Sequence, residues 1–189
     1  SVAPGKYTLK MTLGDVISET EVTILPNPKV ISSSEDFIAQ QKMLVSIENT
    51  VKEMHESVNQ MRSAKTQLSH YAKLLKDSKN VDSLLEKGKK LTKRINSWEE
   101  NLIQAKQKTF QDVINFNNKL NAQLIQLKSY LDQANPKVTN GAKERFDDLM
   151  NDWQVYKNER DTIINTEMKA YNDLFKALAI PALILEEKQ

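Results

Sequence analysis

The stretch that decides the fold is Phe37–Leu75, FIAQQKMLVSIENTVKEMHESVNQMRSAKTQLSHYAKLL. Residues that recur at alternating spacings of three and four lie on one side of a helix. Two mostly apolar columns follow this spacing, one of Phe37, Leu44, Val51, Val58, Lys65 and Ala72, the other of Gln40, Ile47, Met54, Met61, Leu68 and Leu75. No glycine or proline interrupts them, so we expect one helix roughly 60 Å long. Other elements must cover its apolar stripe, because helices gain most of their stability from packing.

The composition favours a helical domain. Charged residues make up 28% of the 189 residues and aromatic residues 6%, with only 4 Gly and 5 Pro, which suits helices with narrow apolar stripes. The net charge of +2 gives no overall attraction to nucleic acid. The absence of cysteine from the sequence excludes disulfides, thiolate metal sites and cysteine nucleophiles. No apolar run approaches the ~20 residues of a membrane span, so we expect neither a nucleic-acid partner nor a membrane span.

Residues 1–26 are predicted to form a β-hairpin. Apolar and polar residues alternate through Tyr7–Leu13 and Val16–Ile24 around a Gly14-Asp15 turn, as in strands with one apolar face. A Pro-Gly turn followed by a Tyr entering the penultimate strand resembles the end of an immunoglobulin-like or fibronectin-type sandwich. Two strands alone are marginal in water. We therefore expect the remnant of an Ig-like sandwich that leans on the helices or on another chain, with a native two-stranded appendage as the alternative.

The rest of the chain is predicted to be helical. Residues 27–34 form a linker. Pro26 and Pro28 end the second strand and stiffen the start of the linker, and the linker ends in serines, which cap helices. Three further apolar stripes follow, at 81–102, 113–134 and 146–178. They predict an all-α antiparallel helical bundle over residues 35–185, with three or four helical segments, two of them long. The long first helix is covered by the later segments. If the second and third segments form a short antiparallel pair, part of the first helix faces only the fourth segment, and the hairpin is expected to dock there.

A polar stretch separates the second and third stripes. Asn115, Asn117 and Asn118 favour local side-chain hydrogen bonds over helix. We expect a break between about 105 and 116, where the chain either reverses or only kinks. A continuous helix is the alternative, because the spacing of eleven residues between Leu102 and Val113 is a stutter that a helix can absorb.

The run 104–121, QAKQKTFQDVINFNNKLN, resembles a recurrent signature. It is similar to the C-terminal region of large bacterial secreted proteins built on sortilin-like or BNR-repeat (Asp-box) β-propellers, often labelled glycosyl hydrolases. In that pattern Lys, Gln-Asp, Asn and an aromatic residue lead into a Lys-Leu-Asn helix start, and this chain has Asn117 where the family often has Pro. A Pro-Gly-x-Tyr hairpin, a Pro linker, a long helix and Ile180-Pro181-Ala182 match the family's order too, so that the resemblance spans nearly the whole chain.

The resemblance implies a secreted, periplasmic or cell-surface location. It also implies that the partners are a β-propeller and an Ig-like domain upstream in the same protein. The propeller would hold any hydrolase-like activity, so no catalytic residue is carried over onto this chain. A homodimer and a glycan are the other candidate partners.

Two sets of residues are candidates for interaction. The first set lies in the run 104–121, which we call the family-like run. Its residues either fix the loop through backbone hydrogen bonds or recognise a partner: Lys106, Phe110, Gln111, Asp112, Asn115 and Phe116. The second is the densest basic run and either binds an anionic partner or is a solvated helix face: Lys87, Lys89, Lys90, Lys93 and Arg94.

No residue pattern indicates a catalytic or cofactor site. His55 and His70 are about 22 Å apart along one helix and cannot share a metal ion. Phosphate-binding glycine loops, nucleophile elbows and zinc-binding helix motifs do not occur in the sequence. We therefore expect a non-catalytic helical structural or interaction domain without a cofactor, at the C-terminus of a secreted β-propeller protein. A glycan- or surface-binding accessory module is the main alternative, and a glycosidase is the third.

Overall fold

The computed structural model describes residues 2–181, apart from the side chain of Phe110. Two strands, β1 (Gly5–Leu13) and β2 (Val16–Ile24), come first. The helices that follow are α1 (Ser34–Leu74), α2 (Asp82–Leu102), α3 (Leu120–Leu131), α4 (Asn140–Thr162) and α5 (Lys169–Ala177). A 3-10 turn occupies Phe110–Ile114, and a π-helical segment, Ile163–Met168, joins α4 to α5. The predicted fold class, an all-α bundle with a small N-terminal β-hairpin, is confirmed.

The hairpin forms as its sequence predicts. β1 and β2 pair antiparallel in an unbroken register from Gly5 opposite Ile24 to Leu13 opposite Val16. Gly14 has a φ of +57°, and Asp15 does not share this left-handed conformation. Glycine at the first of two turn residues is the requirement of a type II′ turn, whose twist matches that of the strands. This turn fixes the register and places the apolar residues of both strands, except Ile17, on one face.

The start of α1 is set by a reciprocal pair of hydrogen bonds. The Ser33 hydroxyl accepts a bond of 3.2 Å from the backbone N–H of Asp36, and the Asp36 carboxylate accepts one of 2.9 Å from the N–H of Ser33. This arrangement is a capping box, which satisfies two N–H groups that the helix leaves open. The predicted serine-capped start is therefore present.

The chain divides into two compact units, residues 1–50 with 124–147 and residues 51–123 with 148–189. In the first unit the beginning of α1 packs antiparallel to α3. The Gln40 amide, buried in the second column of the α1 stripe, donates to the carbonyls of Leu131 (2.7 Å) and Gln133 (3.0 Å). These carbonyls lie at the end of α3, where a helix leaves carbonyls unpaired. The buried apolar side chains of this unit are Leu44, Ile47, Leu124, Leu127, Leu131 and Ala142.

In the second unit three helical segments share one core. α2 runs antiparallel to α1, because Arg62 contacts Glu99 whereas Leu68 lies beside Gly88. α4 and α5 run antiparallel to α2, and the indole N–H of Trp98 donates to the carbonyl of Tyr156 at 2.8 Å. The largest side chains in this core that are fully buried are Trp98, Trp153, Met54, Met61, Leu84, Ile95, Leu102, Leu149, Ile163 and Val58.

The π-helical segment explains an irregular spacing in the last stripe. Leu149 and Ile163 are both fully buried and lie fourteen residues apart by sequence number, or two heptads. The next buried residue, Tyr171, follows after eight residues, one more than a heptad. A π turn holds one extra residue, so it returns Tyr171 to the buried side of the helix. The π segment and α5 both pack against α2.

Three expectations need comment. The predicted break after the second stripe exists and is wider than expected, since α2 ends at Leu102 and α3 begins at Leu120. The hairpin's apolar side chains are exposed, so the expectation that the hairpin buries them against the helices is wrong. The predicted apolar tail lies, from residue 182 onward, outside the described residues.

Candidate interaction surfaces

The hairpin presents an uncovered apolar face. The register places seven apolar residues on the same side of the two strands: Tyr7, Leu9, Met11, Leu13, Val16, Val22 and Ile24. All seven are exposed, with Met11 at 66% and Leu13 at 77%. Contiguous patches of exposed apolar side chains are often functional. We call this set the hairpin face.

Tyr7 closes the entry to β1. Its hydroxyl donates a hydrogen bond of 2.6 Å to the carbonyl oxygen of Ala3, four residues upstream. A tyrosine at the start of a strand that bonds back to the backbone a few residues earlier is the tyrosine corner of immunoglobulin-type sandwiches. In those domains the corner marks the penultimate strand, which is the position that the Pro-Gly-x-Tyr pattern predicts for β1.

Apart from Ile17, the opposite side of the hairpin is polar, and it carries opposite charges on its two strands. Lys6 and Lys10 lie on β1, whereas Glu19 and Glu21 lie on β2. Lys10 and Glu19 are cross-strand neighbours with a charge separation of 3.4 Å. The hairpin therefore has one apolar side and one charged side, which is the pattern of antiparallel strands that pack one face on a core.

Asp112 organises the loop between α2 and α3. Its carboxylate accepts hydrogen bonds from the backbone N–H groups of Lys108 (2.6 Å) and Thr109 (2.8 Å), at the start of the 3-10 turn. The bonds from Lys108 and Thr109 hold the pKa of Asp112 below its ordinary value. The carboxylate is thus committed to the backbone of its own loop, the contact expected of a loop-fixing residue.

Two glutamines that the sequence did not single out clamp the same loop. The Gln107 amide donates to the carbonyl of Phe116 at 2.6 Å and to the Asn118 side chain at 3.2 Å. The Gln104 amide donates to the carbonyl of Asn117 at 3.1 Å. Both lie in the family-like run, but a glutamine in a polar run carries no signal that predicts which carbonyl it will reach.

The other predicted loop residues are placed as follows. Lys106, Gln111 and Asn115 are exposed, and Phe116 is half-buried. The backbone of Phe110 begins the 3-10 turn, and its side chain lies outside the description. Of the predicted residues, Asp112 therefore fixes the loop, whereas Lys106, Gln111 and Asn115 lie on the surface of the loop.

The predicted basic patch is divided by the structure. Arg94 pairs with Glu159 (3.3 Å) and Glu167 (3.6 Å), and Lys90 lies 3.5 Å from Glu86 on its own helix. Lys87 is half-buried beside the core-facing side of α2. Lys89 and Lys93 are exposed, and their positions on the helical wheel are opposite the buried residues of α2. An anionic partner would therefore meet chiefly these two lysines.

A buried ion-pair cluster in the second unit was missed by sequence reasoning. The Glu99 side chain is only 12% exposed and accepts from Arg62 Nη2 (2.6 Å) and Lys65 Nζ (2.8 Å). Burial acts to raise the pKa of Glu99, but the hydrogen bonds and charges of Lys65 and Arg62 outweigh it and hold that pKa below its ordinary value. The cluster ties α1 to α2, so we assign it to folding.

The histidines do not approach each other, since both lie on α1 fifteen positions apart. Across residues 2–181 no group of three His, Asp or Glu side chains is arranged to hold a metal ion. None of the helices described combines the length and hydropathy that crossing a membrane requires.

Comparison of the chain with protein-family models, with curated proteins and with solved structures found no match.

Proposed function

We propose that this chain is a non-catalytic helical structural and interaction module, and that the hairpin face is the surface through which it joins a neighbouring domain. The observation that carries the proposal is the exposure of all seven apolar side chains of that face. Elsewhere in the chain the large apolar side chains at the centre of each stripe are buried, Trp98 and Trp153 among them. Among the described elements, the hairpin has its apolar side left without a cover.

The size of the hairpin face favours a partner in the same polypeptide. Two nine-residue strands give a face roughly 30 Å long and about 10 Å wide, or about 300 Å². A stable complex of separate proteins buries about 800 Å² on each partner. A covalently tethered partner needs less contact, because its effective concentration reaches the millimolar range.

The partner that fits best is a β-sheet domain upstream of the hairpin. The Tyr7–Ala3 hydrogen bond supports an immunoglobulin-type sandwich, and the run 104–121 resembles the C-terminal region of secreted proteins with sortilin-like or BNR-repeat propellers. The proposed location is accordingly secreted, periplasmic or cell-surface. The genomic sequence upstream of Ser1 tests this assignment directly. Asp-box repeats followed by further sandwich strands would support it, and their absence would refute it.

A second candidate function is binding to an anionic glycan or surface. Its supporting observation is the outward pair Lys89 and Lys93, whereas Arg94 and Lys90 of the same run lie in ion pairs. Binding of the purified chain to heparin-like polysaccharide or anionic vesicles at rising salt measures this function. Salt-sensitive binding that Lys89→Glu with Lys93→Glu abolishes would establish it. Binding that this double variant leaves unchanged, or no binding, would remove it.

A further inference from the structure

We propose, building on the docking role assigned to the hairpin above, that the free edge of β1 accepts an antiparallel strand whose side chains alternate between acidic and apolar residues. Such a strand would extend the hairpin into a three-stranded sheet with β1 in the centre. Its apolar side chains would enlarge the hairpin face, and its acidic side chains would lie beside the lysines of β1.

The two-residue turn determines which backbone groups are open. It makes Leu13 and Val16 a hydrogen-bonded pair, and such pairs alternate with non-bonded pairs along the strands. The alternate residues of β1 direct their N–H and C=O groups outward, and these are Lys6, Thr8, Lys10 and Thr12. On β2 the corresponding residues are Ile17, Glu19, Glu21 and Thr23. Each edge is thus a row of open donors and acceptors.

The Tyr7–Ala3 hydrogen bond selects the edge of β1. In immunoglobulin-type sheets the strand that starts with the tyrosine corner lies between the last strand and a third one. β2 occupies the place of the last strand, since it follows β1 through a tight turn. The neighbour that remains to be supplied therefore pairs with β1, and β2 stays at the border of the sheet.

Charge selects the chemistry of the added strand. Lys6 and Lys10 point to the polar side of β1. Among the described residues only Lys10 has a carboxylate within ion-pair distance, Glu19 at 3.4 Å. Acidic residues on the adjacent strand would complete alternating rows of negative, positive and negative charge. A second copy pairing through the same edge would instead bring four lysines onto one side of the sheet, which opposes that mode of dimerisation.

The test adds a strand to the intact chain. A nine-residue segment of alternating Val and Glu is fused ahead of Ser1 through a short Gly-Ser linker, and a matched fusion carries alternating Val and Lys. Amide hydrogen exchange is then measured residue by residue in both fusions and in the chain alone, and circular dichroism checks that the helices are retained. The same two peptides added in trans give a second measurement that does not depend on how the fusions fold.

The expected result is that the Glu strand slows exchange at Lys6, Thr8, Lys10 and Thr12 by at least about tenfold, while Glu19 and Glu21 are unaffected. The Lys strand should protect the same amides much less. Protection at β2, equal protection by both strands, or no protection in either format would overturn the proposal. These outcomes leave the docking role of the hairpin face standing, because that role concerns burial of side chains such as Met11 and is measured separately.

Discussion

The Tyr7 hydroxyl donates a 2.6 Å hydrogen bond to the carbonyl oxygen of Ala3, across the Pro4-Gly5 bend that leads into β1. The bond fastens the entry of a hairpin whose apolar side chains are exposed. An ordered corner on an exposed hairpin resembles the local structure at the start of a sandwich strand. It is the contact that links the sequence pattern of residues 4–7 to the proposed docking role.

Tyr7→Phe should loosen the hairpin without affecting the helices. Loss of one hydrogen bond of this kind costs about 1 kcal/mol, so the cross-strand amides of β1 and β2 should exchange roughly fivefold faster. The helical melting transition, followed by circular dichroism, should stay unchanged. Tyr130→Phe, which alters an exposed tyrosine on α3, is the control. An unchanged exchange rate in the Tyr7 variant would argue against a structural role for the corner.

Glu99→Gln should destabilise the second unit. The substitution leaves Arg62 and Lys65 without the carboxylate that joins α1 to α2, and we expect a loss of about 2 kcal/mol at neutral pH, measured by urea unfolding. Glu100→Gln, at the exposed neighbouring position, should change the free energy of unfolding little. Equal effects of the two substitutions would contradict the role assigned to Glu99.

The effect of Glu99 should depend on pH in one direction. The pKa of Glu99 in the folded chain lies below the ordinary value of 4.5, so the ionised carboxylate stabilises the folded state. Its contribution is therefore complete above about pH 4.5 and is lost as the pH falls through the folded-state pKa. The difference in unfolding free energy between the wild-type chain and Glu99→Gln should shrink from pH 5 to pH 3. A difference that stays constant over this range would exclude the ionised pair as its source.

Asp112→Ala should open the loop between α2 and α3. The N–H groups of Lys108 and Thr109 lose their acceptor, and their exchange should accelerate by about tenfold. Gln111→Ala changes the exposed adjacent residue and should leave both amides protected. If Asp112→Ala left them protected as well, the residue would not fix the loop, and partner recognition would be the better explanation for its place in the family-like run.

Gly88 and Gly141 should respond differently to alanine. A Cβ on Gly88 would lie 3.2 Å from Cε2 of Tyr171 and 3.7 Å from Cδ2 of Leu68, whereas a Cβ on Gly141 would meet nothing within 4 Å. Gly141→Ala should therefore stabilise the chain by about 0.5 kcal/mol through helix propensity. Gly88→Ala should not give this gain, and Gly88→Val should destabilise by about 2 kcal/mol through overpacking. Thermal unfolding of the three variants measures the contrast. Stabilisation by Gly88→Ala would contradict the expectation, because it would show that the Tyr171 ring can move to make room for the added methyl group.

The periodic parts of the fold followed from the sequence. In the second column of the α1 stripe every residue is buried, from Gln40 to Leu75, because a spacing of three and four determines a helix face before any partner is known. The hairpin register followed in the same way from alternation and the Gly14 turn. The break after α2 was visible because asparagines compete with the helix for hydrogen bonds.

The contacts between distant residues did not follow from the sequence. Glu99 meets Arg62 and Lys65 across more than thirty positions, and nothing local distinguishes it from Glu100. The clamps by Gln104 and Gln107 depend on a loop path that no periodicity encodes. The spacing of eight residues between Ile163 and Tyr171 is visible in the sequence, but only the structure shows that a π turn accommodates the extra residue. The exposure of the hairpin face did not follow from the sequence either. An apolar strand face predicts that it will be buried, but it does not show which element or partner buries it.

The most direct test of the central claim is the oxidation rate of Met11. In the purified chain Met11 is 66% exposed and Met54 is fully buried, so peroxide should oxidise Met11 at least about tenfold faster than Met54. In the protein isolated from its native cell, a docked hairpin face should slow the oxidation of Met11 by about tenfold and leave that of Met54 unchanged. Oxidation of Met11 in the native protein at the rate seen in the isolated chain would contradict the claim that the hairpin face is a docking surface.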